Sequence, residues 1–368
     1  MRIAYISLHW PRTIISGVGK KILRQMEAWR AGGNDVQLFM HTVRYESDIP
    51  LLPGKVFCYG GIGLSVEWER IRAVYHLLKA VRDYRPDVIY LRYGMYVFPI
   101  HQLASIAPLI EEMNTNDLVQ HKWLGWLYSL YNRFTRGLLL RRTSGLVCLS
   151  RELATAPQNA VFKKPTKVIG DGIDLDNISP LPAPRNAQPR LAFIGSPDAP
   201  WQGVDKLIGL AQSFPDISIH IIGYDRIDGH DSLPENLRLY GYLETVKYQK
   251  ILGTMDCAIG SLGLHRISLN ESSPLKTREC LAYGLPMILP YEDTDLKDLD
   301  ADFLLKIPNK EDNIHTHGHA VRDFAYRMRG RRVDRRLITA IDQTFKERER
   351  MQFFEEIVSG AKPEPITM

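Results

Sequence analysis

Short apolar runs alternate along the chain with longer stretches of helical period. RIAYISL, DVQLFMH, KVFCYG, DVIYLRY, APLIEEM, GLVCLS and TKVIGDG fall within residues 2–172, and RLAFIGS, ISIHIIG, LRLYGY, CAIGSLG, PMILPY and DFLLKI within 190–307. Their alternation with helical patterns predicts parallel sheets wrapped by helices, in two successive α/β units. Between the two series lies SPLPAPRNAQP, a linker by composition. The expected layout is a first domain over 1–178, a linker over 179–189 and a second domain over 190–340. A last helix over 341–360 ends near Gly360, and a frayed tail covers 361–368. A chain of 368 residues exceeds what one core usually holds, which fits two domains.

Composition changes this picture little. With 45% hydrophobic and 24% charged residues the chain is ordinary globular material. MRIAYISLHW reads as a first strand and not a secretory leader, and no run approaches the ~18 apolar residues of a membrane span. Cys58, Cys148, Cys257 and Cys280 stand far apart, against both a zinc site and a disulfide framework, so a cytoplasmic setting is expected. The net charge of +5 matters less than its distribution. Residues 121–142 carry five Lys or Arg and no acid, interleaved with aromatics, and residues 321–336 carry seven Arg against two Asp. Either stretch suits an anionic surface or plain solvent; with no recognition module beside them, nucleic-acid binding is not expected.

Candidate chemistry concentrates in NESSPLKTRECLAYGLP, residues 270–286. Ser273 is a fitting N-cap, Pro274 a first helical residue and Gly284 the residue past the last turn of a helix of about three turns. Lys276 and Arg278 then sit at the helix's positive end, which costs up to ~1 kcal/mol unless an anion docks there. The alternative is a solvated surface charge. Glu271 and Glu279 flank the same turn. At the other end of the chain, SGVGKKILRQMEAW follows the first strand, and Ser16, Gly17, Val18 and Gly19 offer backbone N–H groups to a phosphate. A tight strand-to-helix turn explains it as well. It lacks the third glycine of a dinucleotide fingerprint and the ending of a P-loop, so a nicotinamide dehydrogenase is disfavoured. LIEEMNTND places Glu112, Asn114, Asn116 and Asp117 at the end of a strand, as a polar cluster or as a helix cap, and His9 ends the first strand.

Glu271 and Glu279, with seven residues between them and followed by LAYGLPMI, resemble the Glu-x7-Glu signature of family 4 retaining glycosyltransferases, the glycosyl transferases group 1 domain. The order of the other segments supports the resemblance over nearly all of residues 1–290: SGVGKKILRQMEAWRAGGNDVQLF, GLVCLSRELA, KVIGDGIDL and LAFIGSPDAPWQGVDKLIGLA. It implies a GT-B architecture, two Rossmann-like parallel-sheet domains facing across a cleft, with an acceptor-side first domain, a donor-binding second domain and a last helix, 341–360, that crosses back to the first domain. The implied activity is retaining transfer of a sugar from a nucleotide-diphosphate sugar to a hydroxyl acceptor, a lipid-linked or polysaccharide glycan intermediate. By the same resemblance Glu279 accepts the ribose hydroxyls, Glu271 contacts the transferred sugar, and Lys276 with the backbone around Ser273 and Leu275 meets the diphosphate. Gly17, Gly19, Gly223, Tyr242 and Leu243 would also line the donor. Glu271, Lys276 and Glu112 form the expected catalytic set, and His9, Glu112, Asn114 and Asn116 the acceptor side.

The chain departs from the family where many members carry an Arg and a Lys on the diphosphate: Ser196 and Gln202 stand there. Lys276, with Arg266 or Arg278, is expected to replace them. No acidic D-x-D pair sits in a fitting loop, so metal-independent transfer without a cofactor is expected. An epimerase or phosphorylase of the same architecture, or a silent scaffold, are the competing readings. Residues 121–142 are expected to meet an anionic membrane surface on its cytoplasmic side, with Lys122, Arg133, Arg136, Arg141 and Arg142 supplying charge.

Overall fold

The computed structural model describes residues 1–8, 17–43, 54–61, 64–197, 199–230 and 232–361. All seven apolar runs of the first series and all six of the second are strands. β1 (Arg2–Ser7), β2 (Asp35–Val43), β3 (Gly54–Tyr59), β4 (Val88–Arg92), β5 (Leu109–Met113), β6 (Gly145–Cys148) and β7 (Thr166–Val168) form one sheet in the order β3-β2-β1-β4-β5-β6-β7. Every neighbouring pair is parallel. The order reverses between β1 and β4, where Ser7 stands level with Arg92, and ligands of open α/β sheets bind beyond such a reversal.

Side chains alternate across this sheet, and both faces are apolar because both are covered. Ile3 and Tyr5 of β1 join a core with Met26 and Trp29 of the helix Gly17–Ala31 and with Phe353 and Phe354. Ala4 and Ile6 join the opposite core with Val74, Leu77 and Val81 of the helix Leu64–Tyr84.

The second sheet contains β8 (Arg190–Ile194), β9 (Ser218–Ile222), β10 (Leu237–Leu239), β11 (Cys257–Ile259), β13 (Met287–Leu289) and β15 (Leu304–Lys306), in the order β10-β9-β8-β11-β13-β15 and again all parallel. A parallel pair of two-residue strands, β12 (Glu271–Ser272) and β14 (Glu292–Asp293), forms a separate small sheet. The sequence pattern did not indicate this pair, since two residues carry no period.

The chain divides into two compact units, Met1–Ile169 with Lys346–Met368, and Gly170–Phe345. The division falls earlier than residue 178. The expected linker 179–189 belongs to the second unit: Leu181 donates its N–H to the Tyr283 carbonyl, and Asn186 donates its side-chain amide to Asp256. Arg332 donates to the carbonyls of Leu181 and Pro182, at 3.1 and 2.9 Å. Proline-rich chain here is held by side-chain donors in place of a ladder. The last helix is Gln343–Ser359, shorter at its start than the pattern suggested, because Asp342 is extended and bridges to Ile173. It ends before Gly360, whose φ is +72°. The tail from 362 onward lies outside the described residues.

Candidate active site

The helix of the Glu-x7-Glu segment is Leu275–Ala282, about two turns and not three. Pro274 occupies the cap position with φ −73° and ψ 133°. Ser273 does not cap. Its Oγ accepts from the Asp171 N–H at 2.6 Å and from Arg278 Nη2 at 2.8 Å. Gly284 ends the helix as expected, with φ +85° and with the Leu285 N–H reaching back to the Cys280 carbonyl. At the start, the N–H groups of Thr277 and Arg278 both point to the Pro274 carbonyl. Those of Leu275 and Lys276 precede the first helical bond and have no intrahelical acceptor.

The two cations of this helix differ in their surroundings. Arg278 is fully buried and donates to Asp293, to Asp295 at 2.5 Å, to Ser273 and to the Asp171 carbonyl. It is a structural ion-pair centre, its charge already balanced by two carboxylates and fully buried away from any phosphate. Arg266 is likewise committed, to Asp205, Glu311 and the Pro200 carbonyl. Lys276 meets no carboxylate among the described residues. Its Nζ donates to the Ile194 carbonyl at 2.9 Å and to Gln202 Oε1 at 2.5 Å, and lies 4.5 Å from the centre of the Phe193 ring. Burial pushes its pKa down to about 7. A half-buried ammonium of this kind gains by the arrival of an anion.

Ser196, expected to stand where relatives have a cation, accepts the Tyr224 hydroxyl on its carbonyl at 2.6 Å. Gln202 ends a 3-10 turn, Pro200–Gln202, at the carboxyl side of β8. Gly223 follows β9 with φ +98°; a Cβ there would stand 2.0 Å from the Gly195 carbonyl oxygen, so two strand ends approach as only glycine allows. Tyr242 is exposed, and Leu243 half-buried. Glu271 is buried in β12, level with Glu292. Glu279 accepts the Tyr248 hydroxyl on Oε2 at 3.0 Å. Tyr248 left no signal in the sequence, because it comes from the separate helix Thr245–Gly253.

In the first unit Gly17 is exposed at the start of its helix, Gly19 is buried, and Ser16 and His9 lie outside the described residues. Glu112 is fully buried. Oε1 accepts from Lys21 at 2.9 Å and Arg92 at 2.8 Å, and Oε2 accepts from the Tyr90 hydroxyl at 2.5 Å. Burial alone would raise its pKa, but Lys21, Arg92 and Arg350 overcome that and hold it at about 2. Glu112 is therefore a structural charge of the sheet and not an acceptor-facing catalytic group. Its neighbour Glu111 projects to the other face, equally buried, and neither carboxyl oxygen has a hydrogen-bond partner among the described residues. Burial pushes it up to about 8. Asn114 accepts from Arg92 at 2.8 Å. Asn116 precedes the short helix Asp117–Gln120, and its buried Oδ1 has no hydrogen-bond partner among the described residues. Asp117 is buried against Arg136 and Asn132.

Two parallel-sheet α/β units with these strand orders are the GT-B fold. The family described as the Glycosyl transferase 4-like domain matches residues 16–170, less than half of the chain. Among solved structures, sucrose-phosphate synthase from Thermosynechococcus elongatus is 14% identical, with 98% of this chain and 100% of that chain covered at a TM-score of 0.68. A lipopolysaccharide outer core galactosyltransferase in its apo form is 11% identical, covering 98% and 99% at 0.65. The Anabaena protein HepE, solved with UDP and glucose, is 13% identical, covering 96% and 99% at 0.65. Likenesses at this identity show the architecture. No curated protein matches the chain.

Proposed function

We propose that the chain transfers a sugar from a nucleotide-diphosphate sugar to a hydroxyl of a glycan acceptor carried on a lipid or a growing polysaccharide. The observation that carries this is Lys276, a half-buried cation that donates to the Ile194 carbonyl and to Gln202 Oε1, on the first turn of a helix whose leading N–H groups have no intrahelical acceptor. A diphosphate satisfies both at once. Glu279 takes the ribose hydroxyls and Glu271 the transferred sugar, since a carboxylate accepts two hydroxyl donors. HepE, solved with UDP and glucose, makes UDP-sugars the first donors to try.

Transfer proceeds with retention. The bond from the anomeric carbon to the diphosphate oxygen breaks, the acceptor oxygen bonds to the same face, and the acceptor proton passes to the departing diphosphate. Catalysis is then positioning and stabilisation of leaving-group charge, with Lys276 in place of a metal. The expected setting is the cytoplasmic face of a membrane. The deciding experiment is a thermal-shift screen of UDP- and GDP-sugars followed by product analysis with the stabilising donor. A donor held at ~100 times its dissociation constant adds ~2.7 kcal/mol of stability. Stabilisation by no nucleotide sugar overturns the reading, and turnover that stops in EDTA removes its metal-free part.

A further inference from the structure

The helix Trp126–Leu140 is amphipathic in the inverted sense. Its buried positions are Asn132 and Arg136, which both bind buried Asp117, and Leu139 and Leu140 at its end, while the outward positions are apolar apart from Arg133. Trp126 and Phe134 are each 73% exposed, and Trp123, Leu127, Tyr128 and Tyr131 are exposed beside them. A polar anchor ties the helix to Asp117 and Asn159, and only its end, at Leu139, enters the core beside the sheet, so most of its large hydrophobic side chains are left outward. Exposed apolar area of this extent marks an interaction face. Arg136, counted in the sequence as a surface cation, is taken up by the anchor. Lys122, Arg133, Arg141 and Arg142 remain exposed, and no acid occurs from residue 118 to 151.

We propose that this face docks on an anionic lipid bilayer, lying in the interface without crossing it. Among the described residues no helix is long and apolar enough to cross a membrane. The charge argues for lipid over protein: the rim is basic throughout, whereas a protein face normally mixes both signs. The side chains argue the same way, since Trp and Tyr favour the headgroup level while Leu and Phe enter the acyl boundary. Gly125, at φ +114°, turns the chain between the 3-10 turn His121–Leu124 and the helix, setting Trp123 and Trp126 on either side of a corner.

The test is co-sedimentation of the full chain with phosphatidylglycerol-containing and with pure phosphatidylcholine vesicles, at low and high salt. Binding is expected to need the anionic lipid, to weaken with salt, to fall about fivefold per cation in Arg133→Gln and Arg141→Gln, and to be lost in Trp126→Ser with Phe134→Ser. These residues are exposed, so circular dichroism should show unchanged folding. Equal partitioning with both vesicle types overturns the proposal. So does a dimer in solution that Trp126→Ser with Phe134→Ser abolishes, which would assign the face to a second copy. Docking is read without any sugar transfer, so its failure and that of the transfer reading are separable.

Discussion

Lys276 and Arg278 stand two residues apart and do opposite work. The sequence marked both as charges misplaced at a helix start, and it could not separate them, because Asp293 and Asp295 reach Arg278 through β14. Replacing Arg278 by Ala strands two buried carboxylates and should cost ~3–5 kcal/mol in urea unfolding. Replacing Lys276 by Ala should leave stability nearly unchanged and weaken nucleoside diphosphate binding at least ~10-fold, about 1.4 kcal/mol, in calorimetric titration. Gln202 accepts from Lys276 at 2.5 Å, so Gln202→Lys should weaken binding alone, by crowding two cations, yet restore part of it in the Lys276→Ala background. The pH dependence has a definite sign. The free Lys276 pKa is about 7 and a bound diphosphate raises it, so affinity is full below pH 7, falls as pH rises through 7, and binding takes up a proton. Unchanged affinity from pH 6 to 9 would sink this assignment. Glu271→Ala and Glu279→Ala should each lower kcat/KM by ~100-fold or more, about 2.7 kcal/mol, with a working donor.

At the scale of elements, β5 shows what a pattern conceals. LIEEM reads as an apolar strand ending in polar residues, and the strand is where it was expected. Alternation sends Glu111 and Glu112 to opposite faces, but the cations that set their charge, Lys21 and Arg92 bonded to Glu112 and Arg136 acting on Glu111 through its field alone, come from three other elements. One carboxyl is held near pKa 2 and the other near 8. Their linkage to folding has opposite sign. Glu111, raised above its unfolded value of 4.5, stabilises fully below pH 4.5 and loses that contribution as pH climbs to 8. Glu112, depressed, contributes above pH 4.5 and loses it as pH falls toward 2. Urea midpoints measured from pH 5 to 9 should therefore decline less in Glu111→Gln than in the wild type. An identical slope in both would mean that Glu111 ionises freely. The Arg-rich stretch 321–336 teaches the same lesson, since Arg332 and Arg335 cap carbonyls of their own unit and Arg322 pairs with Asp216. Composition showed charge there, while its use as an internal clamp depends on which carbonyls the fold leaves open.

For the molecule as a whole, two α/β units were legible because apolar runs and helical periods alternate, while the boundary at Ile169 was not, since nothing in composition separates Gly170 from Ile169. The return of the last segment to the first unit came from family resemblance, and its physical reason is in the packing. Trp29 Nε1 donates to Glu347 at 2.7 Å, Arg350 donates to the Tyr90 hydroxyl at 3.1 Å, and Phe354 packs against both Trp29 and Tyr90 with ring centres 5.3 and 5.2 Å apart. Phe353 closes over Gly145, where an added Cβ would stand 3.0 Å from its ring. Losing one buried Phe costs ~3–5 kcal/mol, and a domain is stable by only ~5–15 kcal/mol. A chain ending at Phe345 loses both rings and leaves the Trp29 N–H buried without an acceptor, so its first unit should not hold together. Amide exchange measured by mass spectrometry should show β1 and β4 unprotected in the truncated chain, with β8 and β11 still slow. The milder Phe353→Ala should lower protection in β1 and β4 without abolishing it. Native protection of those strands after truncation would mean that the first sheet is stable without its last helix.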